Sequence, residues 1–397
     1  MSRSRRFLLA TVVLAAAAFF FAASPAAAQM PFAPFGARQV ALGGASVGLG
    51  DDPAGFVDNP ALLTPTAKAG AAAYGELAIA SGGFVPLLEG VTGYNPVTLA
   101  SPSSPDAAAV RANLLALSAP GTSILGDGRS AIASVVNGWG IFIGSTKWSA
   151  AVARPDLVHV ESGTNPATSF AFNDSVVAFR ALSLQDYAVS RAIPFFDGGL
   201  VIGVTGHYSR GTTGIKEESA FTTDIGKLST FVRRGTSGIE KSKTRFSYDV
   251  GAVVNIGVLR LGGVMKGVNR PQFPFNDDVA PAADRGTSVV VGQQSRVGAS
   301  VRIQGLRMRI AADLDLTKNE TLAEGQLSRN AGGGLELTLG SFDLRGGLTV
   351  NLEAPDRPYV YTFGLGVGSS KARLDAAATY RSNDGAYGAI LTTRVGF

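Results

Sequence analysis

The sequence predicts an all-β protein: a transmembrane antiparallel β-barrel of about 14 strands (roughly 12 to 16), with one short loop helix. Three observations carry this. An export-type leader opens the chain, segment after segment alternates apolar and polar residues with period two, and the connections between those segments alternate long and short. Composition sets the frame: of 397 residues only 16% are charged, 46% are hydrophobic and 50 are glycine, with a mean hydropathy of +0.20. An ordinary soluble domain carries about 25% charged residues and ~7% glycine. Cysteine is absent, which excludes a disulfide scaffold, thiolate metal sites, a thiol nucleophile and a lipoprotein anchor. Two histidines, His159 and His207, offer little material for a metal site, so neither metal nor cofactor is expected.

In the leader, Arg3, Arg5 and Arg6 form a basic stretch and Phe7 to Ala23 is an apolar run. Ser24-Pro25 breaks it, and Ala26-Ala27-Ala28 places small residues at both positions of an A-x-A cleavage site. Residues 1–28 are therefore expected to be a signal peptide, with Gln29 first in the mature chain. An uncleaved anchor helix is the alternative, because the run reaches the lower edge of a ~17–25-residue span. Loss of three arginines takes the net charge from +5 to +2, which removes the main support for nucleic-acid binding.

Beyond the leader no segment offers ~18 uninterrupted apolar residues, so a helical membrane protein is excluded. Alternation takes its place. Phe246, Tyr248, Val250, Ala252, Val254 and Ile256 share one face, opposite Arg245, Ser247, Asp249, Gly251 and Asn255. Met308, Ile310, Ala312, Leu314 and Leu316 oppose Arg307, Arg309, Asp313 and Asp315, and the split recurs near Leu344 and Leu374. A soluble sandwich shows the same alternation with its apolar face inward. Tyr248, Tyr359, Tyr361 and Tyr380 lie on the apolar face near strand ends, which suits an interfacial girdle instead.

Strands are expected near 70–81, 129–136, 138–153, 174–194, 199–214, 243–256, 259–268, 295–303, 307–318, 329–340, 342–351, 359–369, 372–382 and 386–397. Tight turns such as Asp197-Gly198-Gly199 and Gly305-Leu306 alternate with long connections, the sorting that a barrel with short periplasmic turns and longer outer loops imposes. The first long connection, 82–128, carries a helix near 105–118: Ser104-Pro105-Asp106 starts it, Val110, Leu114 and Leu117 form its apolar stripe, and Ala119-Pro120-Gly121 ends it. The loop at 215–242 is the most charged, with Lys216, Glu217, Glu218, Arg233, Arg234 and Lys241. The final strand alternates back from Phe397 through Val395, Thr393 and Leu391, which resembles the outer-membrane signal read by the barrel-assembly machinery.

Residues 29–66 are too rich in Gly and Pro for a regular strand. Gly36-Ala37-Arg38-Gln39-Val40-Ala41-Leu42-Gly43-Gly44-Ala45-Ser46-Val47-Gly48 leads to Asp51-Asp52 and then Asp58-Asn59-Pro60-Ala61-Leu62-Leu63. This stretch resembles the N-terminal hatch of the FadL-type fatty-acid transporter superfamily, and its Asn-Pro-Ala-Leu-Leu ending is most similar to the TraF-like outer-membrane branch. Tyr248-Asp249-Val250-Gly251-Ala252, Lys266-Gly267-Val268-Asn269-Arg270-Pro271 and Ala312-Asp313-Leu314-Asp315-Leu316-Thr317 resemble that branch too. Val57-Asp58 stands where relatives often place an aromatic before the Asn. The resemblance implies a hatch at 29–66 inside a barrel of 67–397, and movement around Gly43, Gly44, Asn59, Pro60 and Ala61 that opens a path. Without cysteine, the thiol–disulfide role of an unrelated plasmid protein sharing the TraF label does not apply.

Inward-facing cations are assigned as Arg245, Arg260, Lys266, Arg296, Arg302, Arg307, Arg309, Arg345, Arg373 and Arg394; inward acids are Asp249, Asp313, Asp315, Asp343 and Asp375. Asp51 and Asp52 are placed to meet lumen arginines. A ladder of cross-strand ion pairs explains these charges, as does guidance of an anionic amphiphile. Enzyme signals fail on context: Gly44-Ala45-Ser46-Val47-Gly48 matches G-x-S-x-G without the strand and helix a nucleophile elbow needs. No Ser–His–Asx set surrounds either histidine, and Gly364-Leu365-Gly366-Val367-Gly368 lacks a dinucleotide-binding context.

Two readings remain. One is an outer-membrane barrel for passive uptake of small, largely hydrophobic solutes, with Gly43, Gly44, Asp51, Asp52, Asn59, Pro60, Ala61, Arg302, Arg307, Arg309 and Arg345 as substrate-binding or gating residues. The other is a non-transporting barrel that serves as an assembly, secretion or conjugation partner. The expected partners are outer-membrane lipid and lipopolysaccharide, the assembly machinery and a small hydrophobic ligand, without nucleic acid.

Overall fold

The computed structural model describes residues 32–63, 69–80, 83–223, 241–278, 280–354, 358–369, 371–382 and 387–396; the leader and Phe397 lie outside them. The wall consists of β1 (Ala69–Ala80), β2 (Ser123–Val136), β3 (Trp139–Arg154), β4 (Val176–Phe195), β5 (Leu200–Ser219), β6 (Lys241–Ile256) and β7 (Leu259–Lys266). It continues through β8 (Gln294–Ile303), β9 (Met308–Asp315), β10 (Asn330–Leu339), β11 (Phe342–Asn351), β12 (Tyr359–Gly368), β13 (Ala372–Arg381) and β14 (Tyr387–Gly396). Neighbours in sequence pair antiparallel, and β14 pairs with β1, so all fourteen strands close into one barrel.

The period-two pattern decides which side each residue faces. Ile132 stands opposite Ile143 on the outer surface, while Ala133 stands opposite Phe142 in the lumen. Leu344, Tyr361, Phe363, Leu365 and Tyr380 are all exposed on the outside, opposite to what a soluble sandwich would do with them. Aromatic side chains border this apolar band. On the long-loop side Tyr187, Tyr208 and Phe246 touch across three strands, with ring centroids 6.4 and 5.1 Å apart. Near the short-turn rim, Trp139 packs under Arg191, its ring 4.9 Å from the guanidinium carbon. Strands β10–β14 have ten residues each, the length a tilted strand needs to span a bilayer. Strands β3–β6 have 16, 20, 20 and 16, so one side of the wall rises beyond the band on the long-loop side.

The short turns have a local cause. Asn137-Gly138 both take positive φ, as a two-residue hairpin turn demands, and Gly257 and Gly340 supply the same freedom elsewhere. Among the long connections, the first folds into three helices, α1 (Phe84–Glu89), α2 (Pro96–Leu99) and α3 (Ala107–Leu117). Val110, Leu114 and Leu117 of α3 are buried with Phe84, Leu88, Phe170, Phe179 and Phe221, so this cap packs as a filled core over the tall side of the wall. A second apolar cluster inserts Phe273, Phe275 and Leu322 from later loops against Leu182 and Ile215 of the wall. Buried Asp284 fixes those loops: it pairs with Arg154 at 2.8 Å and with Arg180.

Several expectations need correction. β2 begins at Ser123 rather than 129 and β5 runs to Ser219, so Lys216, Glu217 and Glu218 belong to a strand, not a loop; Arg233 and Arg234 lie outside the described residues. Long strands outrun the alternation because their upper parts lie against loops, where small and polar residues suffice. β9 stops at Asp315, not 318, because its partner β10 starts only at Asn330. Asp106, not Ser104, is the N-cap of α3.

Phe363 lies mid-strand on the outer face. Phe363→Arg is expected to cost about 2–4 kcal/mol of stability in lipid vesicles, as a cation does at the bilayer midplane. Urea unfolding of both proteins in the same lipid checks this; equal midpoints would show that the face does not meet hydrocarbon.

Candidate functional site

Residues 32–63 run through the lumen. A one-turn helix, Ala37–Ala41, is followed by two 3₁₀ turns, Gly55–Val57 and Pro60–Leu62, and nearly every residue is buried. The abundance of glycine finds its explanation here. At Gly43 the backbone has φ +67 and lies directly against Gly333 and Leu348, and a Cβ at Gly332 would collide with the Gly43 carbonyl. Wall glycines thus make room for a second backbone inside the barrel.

Asn59 anchors the end of this segment. Its side-chain oxygen accepts the Ala61 N–H at 3.0 Å, and its amide donates to the carbonyls of Val47 at 2.8 Å and Ala252 at 3.3 Å. Pro60 at the first helical position needs no N–H partner, which fits the turn. Ser46, the serine of the G-x-S-x-G match, and Val47 donate their backbone N–H groups to Asp313 at 2.7 and 3.0 Å, a seating contact.

Ion pairs complete the seating. Arg38 grips Glu336 with two bonds of 2.7 Å, and Glu336 in turn accepts from Arg345 at 2.8 Å. Arg345, with no side-chain exposure, also reaches Asp343 at 2.7 Å and Asp375 at 2.6 Å. Arg373 pairs with Asp343, and Arg394 joins Asp375 to Asp52, the latter at 3.1 Å. Asp51 pairs with Arg309 and lies 3.4 Å from Arg302 and 4.0 Å from Arg260. Although burial opposes it, the Arg309 guanidinium holds Asp51 below the usual carboxylate range.

Two smaller cavities adjoin the segment. The one facing the long-loop side, about 190 Å³, is walled by Phe35, Tyr74, Phe142, Trp148, Leu184 and Phe273, with Arg129, Lys266, Asp186 and Asp249 among its polar groups. Phe35 touches Tyr74 and Phe142, at centroid distances of 4.7 and 5.8 Å. Tyr74 Oη and Trp148 Nε1 are buried without a hydrogen-bond partner among the described residues. The second cavity, about 240 Å³, shares Ala33, Pro34 and Arg129 with the first. His207 lines the first cavity but bridges Asp186 at 2.8 Å and Asp249 at 3.1 Å, leaving neither ring nitrogen for a serine. Among the described residues no cluster of His, Asp and Glu has the makings of a metal site.

The structure brings Gly43, Gly44, Asn59, Pro60 and Ala61 against the wall, and groups Asp51 with Arg302 and Arg309, and Asp52 with Arg394. Arg345 lies deep among its three carboxylates. Arg307 differs from its inward assignment: it is exposed in the β8–β9 turn with φ +49, because a 3₁₀ turn at Gln304–Leu306 takes up the residues of the expected two-residue connection. Arg38, Glu336 and the aromatic cavity went unnoticed in the sequence. Glu336 was legible, since it alternates with Leu335 and Leu337; Arg38 and Phe35 sit where no periodicity exists.

A model of the family described as "F plasmid transfer operon, TraF, protein" matches residues 124–315. No curated protein sequence matches the chain. Among solved structures, the Ralstonia pickettii toluene transporter TbuX is similar at TM-score 0.50 and 11% identity, covering 92% of this chain and 98% of that one. A Pseudomonas aeruginosa FadL homologue is similar at TM-score 0.50 and 11% identity, covering 93% and 100%.

Asp58 yields a pH dependence. It is fully buried, accepts the Phe35 N–H at 2.9 Å and lies 3.9 Å from Lys266, with Arg296 and Asp313 also near. Burial pushes its carboxyl up to about 7, against the pull of Lys266. A folded pKa above the unfolded ~3.9 means that stability is fully present below pH ~4 and is lost as pH rises through about 7. Asp58→Asn is expected to remove that fall and to gain up to about 4 kcal/mol at pH ~8. Thermal unfolding in detergent across that range checks it, an unchanged slope being the contrary result.

Proposed function

We propose, from the FadL-type β-barrel fold that this chain adopts, that it sits in a bacterial outer membrane and gives passive passage to a small, largely hydrophobic solute. In this reading the short turns face the periplasm, 32–63 is a hatch, and no chemistry is performed on the solute. The observation that carries it is the aromatic cavity on the long-loop side of the hatch. An apolar cavity of ~150 Å³ holds benzene, so about 190 Å³ takes one aromatic ring or a comparable aliphatic body. Apolar walls bind such a solute, while the unpartnered Trp148 N–H and Tyr74 hydroxyl favour one that carries an acceptor oxygen. The Asp51–Arg309 and Asp52–Arg394 pairs hold the hatch seated, and Gly43, Gly44 and the Asn59-Pro60-Ala61 turn are where it would shift.

The ion-paired lumen and the TraF-model match favour a second reading, a barrel that serves as an assembly, secretion or conjugation partner. The chain has two tryptophans, and one of them is the reporter that separates the two readings. In a Trp139→Phe protein, Trp148 is the sole indole. Titration with toluene or benzyl alcohol is expected to change its emission saturably, and Leu184→Arg, which fills the cavity, is expected to abolish the change. No saturable change, together with a stoichiometric protein companion on mild extraction from outer membranes, would replace the first reading by the second.

A further inference from the structure

A larger cavity lies on the other side of the luminal segment. It measures about 810 Å³ and opens among the short turns. Six guanidinium groups line it, from Arg38, Arg302, Arg307, Arg309, Arg373 and Arg394, against three carboxylates, of Asp51, Glu336 and Asp343. Every cation is an arginine, the side chain whose planar fork matches a carboxylate. Glu336 and Asp343 are consumed by pairs with Arg38, Arg345 and Arg373, and Arg394 by Asp375 and Asp52, which leaves Arg302, Arg307 and Arg309. Asp51 is different: its side chain is 45% exposed, and it is the carboxylate that Arg302, Arg309 and Arg260 share. Arg302 is 63% exposed and touches Asp51 at the margin of bonding distance. Arg307 has no ion-pair partner among the described residues. Asp51 and Arg307 both take positive φ, +58 and +49, a conformation that costs energy for any residue but glycine. Strain in two charged residues lining one open cavity is the pattern found at ligand sites.

We propose that this vestibule is the docking site for an acidic peptide segment of another protein, whose carboxylates displace Asp51 from its arginines and so loosen the luminal segment. The cradle already holds such a segment from its own chain, the loop Gly50-Asp51-Asp52, which shows that polypeptide carboxylates fit it. The cavity is far larger than one carboxylate fills. Its exposed arginines, Arg302 and Arg307, stand on β8 and the turn after it, so a chain that carries more than one carboxylate can meet both. Pro53, Met308 and Val395 are the apolar residues at its margin. Because Asp51 belongs to the luminal segment and Arg302 and Arg309 to the wall, a competitor for these arginines cuts one of the ties between the two. This holds whether or not the barrel passes a solute.

The test uses the full-length barrel in detergent, titrated with labelled hexaglutamate and hexaglutamine and followed by fluorescence anisotropy. Hexaglutamate is expected to bind at least about tenfold more tightly than hexaglutamine, and to weaken at high salt. The double substitution Arg302→Ala with Arg307→Ala is expected to weaken it at least about tenfold. Both positions are on the exposed rim, and an unchanged heat-dependent gel shift would show that the barrel is intact. Asp51→Asn is expected to strengthen binding several-fold, since the competing charge is gone, and hexaglutamate is expected to speed hydrogen exchange in residues 36–63 of the unsubstituted protein. Equal affinity for both peptides, an intact double variant that binds as before, weaker binding by Asp51→Asn, or binding of pyrophosphate in place of hexaglutamate would each overturn the proposal. Trp148 emission with toluene reports on the other cavity, so failure here and failure of the solute reading are distinguishable.

Discussion

The neutralisation of Arg345 is the constraint around which the interior is organised. A guanidinium with no exposure must be surrounded by charge or excluded from the protein, and here three carboxylates on three strands enclose it: Glu336, Asp343 and Asp375. Those carboxylates then require their own partners, Arg38, Arg373 and Arg394, and the chain of obligations reaches the luminal segment twice, at Arg38 and at Asp52. The segment is therefore an electrostatic component of the wall. Remove it, and Glu336 loses two bonds while Arg394 faces the lumen with one carboxylate fewer. The same logic places glycine on inward positions of the facing strands, because the segment's backbone has to come close enough for its charges to meet.

Legibility in the sequence followed periodicity. In β9, β11, β13 and β6 from Phe246 onward every second residue is apolar or glycine, and a one-residue slip would turn the whole set into the lumen, so strand and facing were both readable. Where strands rise above the apolar band the pattern dissolves, because loops cover them. The upper parts of β2 and β5 were missed for that reason. The two-residue and three-residue hairpins inside the loops, such as Gln272–Pro274 with Ser288–Val290, are too short to carry a period at all.

The interior was legible only as a list of charges. That Arg302, Arg309 and Asp51 meet depends on residues about 250 positions apart coming to one rim, and the pairing is set by barrel closure, not by spacing. The aromatic cavity shows the same limit more sharply. Phe35 has no periodic context, Tyr74 lies in a strand otherwise rich in alanine and glycine, and Phe142 and Trp148 stand among other large residues of β3. A rule of counting inward from the exposed partner Ile143 would have turned Phe142 and Trp148 toward the interior.

The luminal segment also sets an order of events. Some of its partners sit at the far end of the chain: Arg38 reaches Glu336, Ala37 reaches Thr392 and Asp52 reaches Arg394. The earliest described residues to leave the ribosome thus complete their contacts only once β14 is in place. Until then part of the segment is a loose tail. A barrel whose final hairpin fails to zip would present that tail to any nearby protease, so an intact N-terminus is a built-in certificate that assembly has finished.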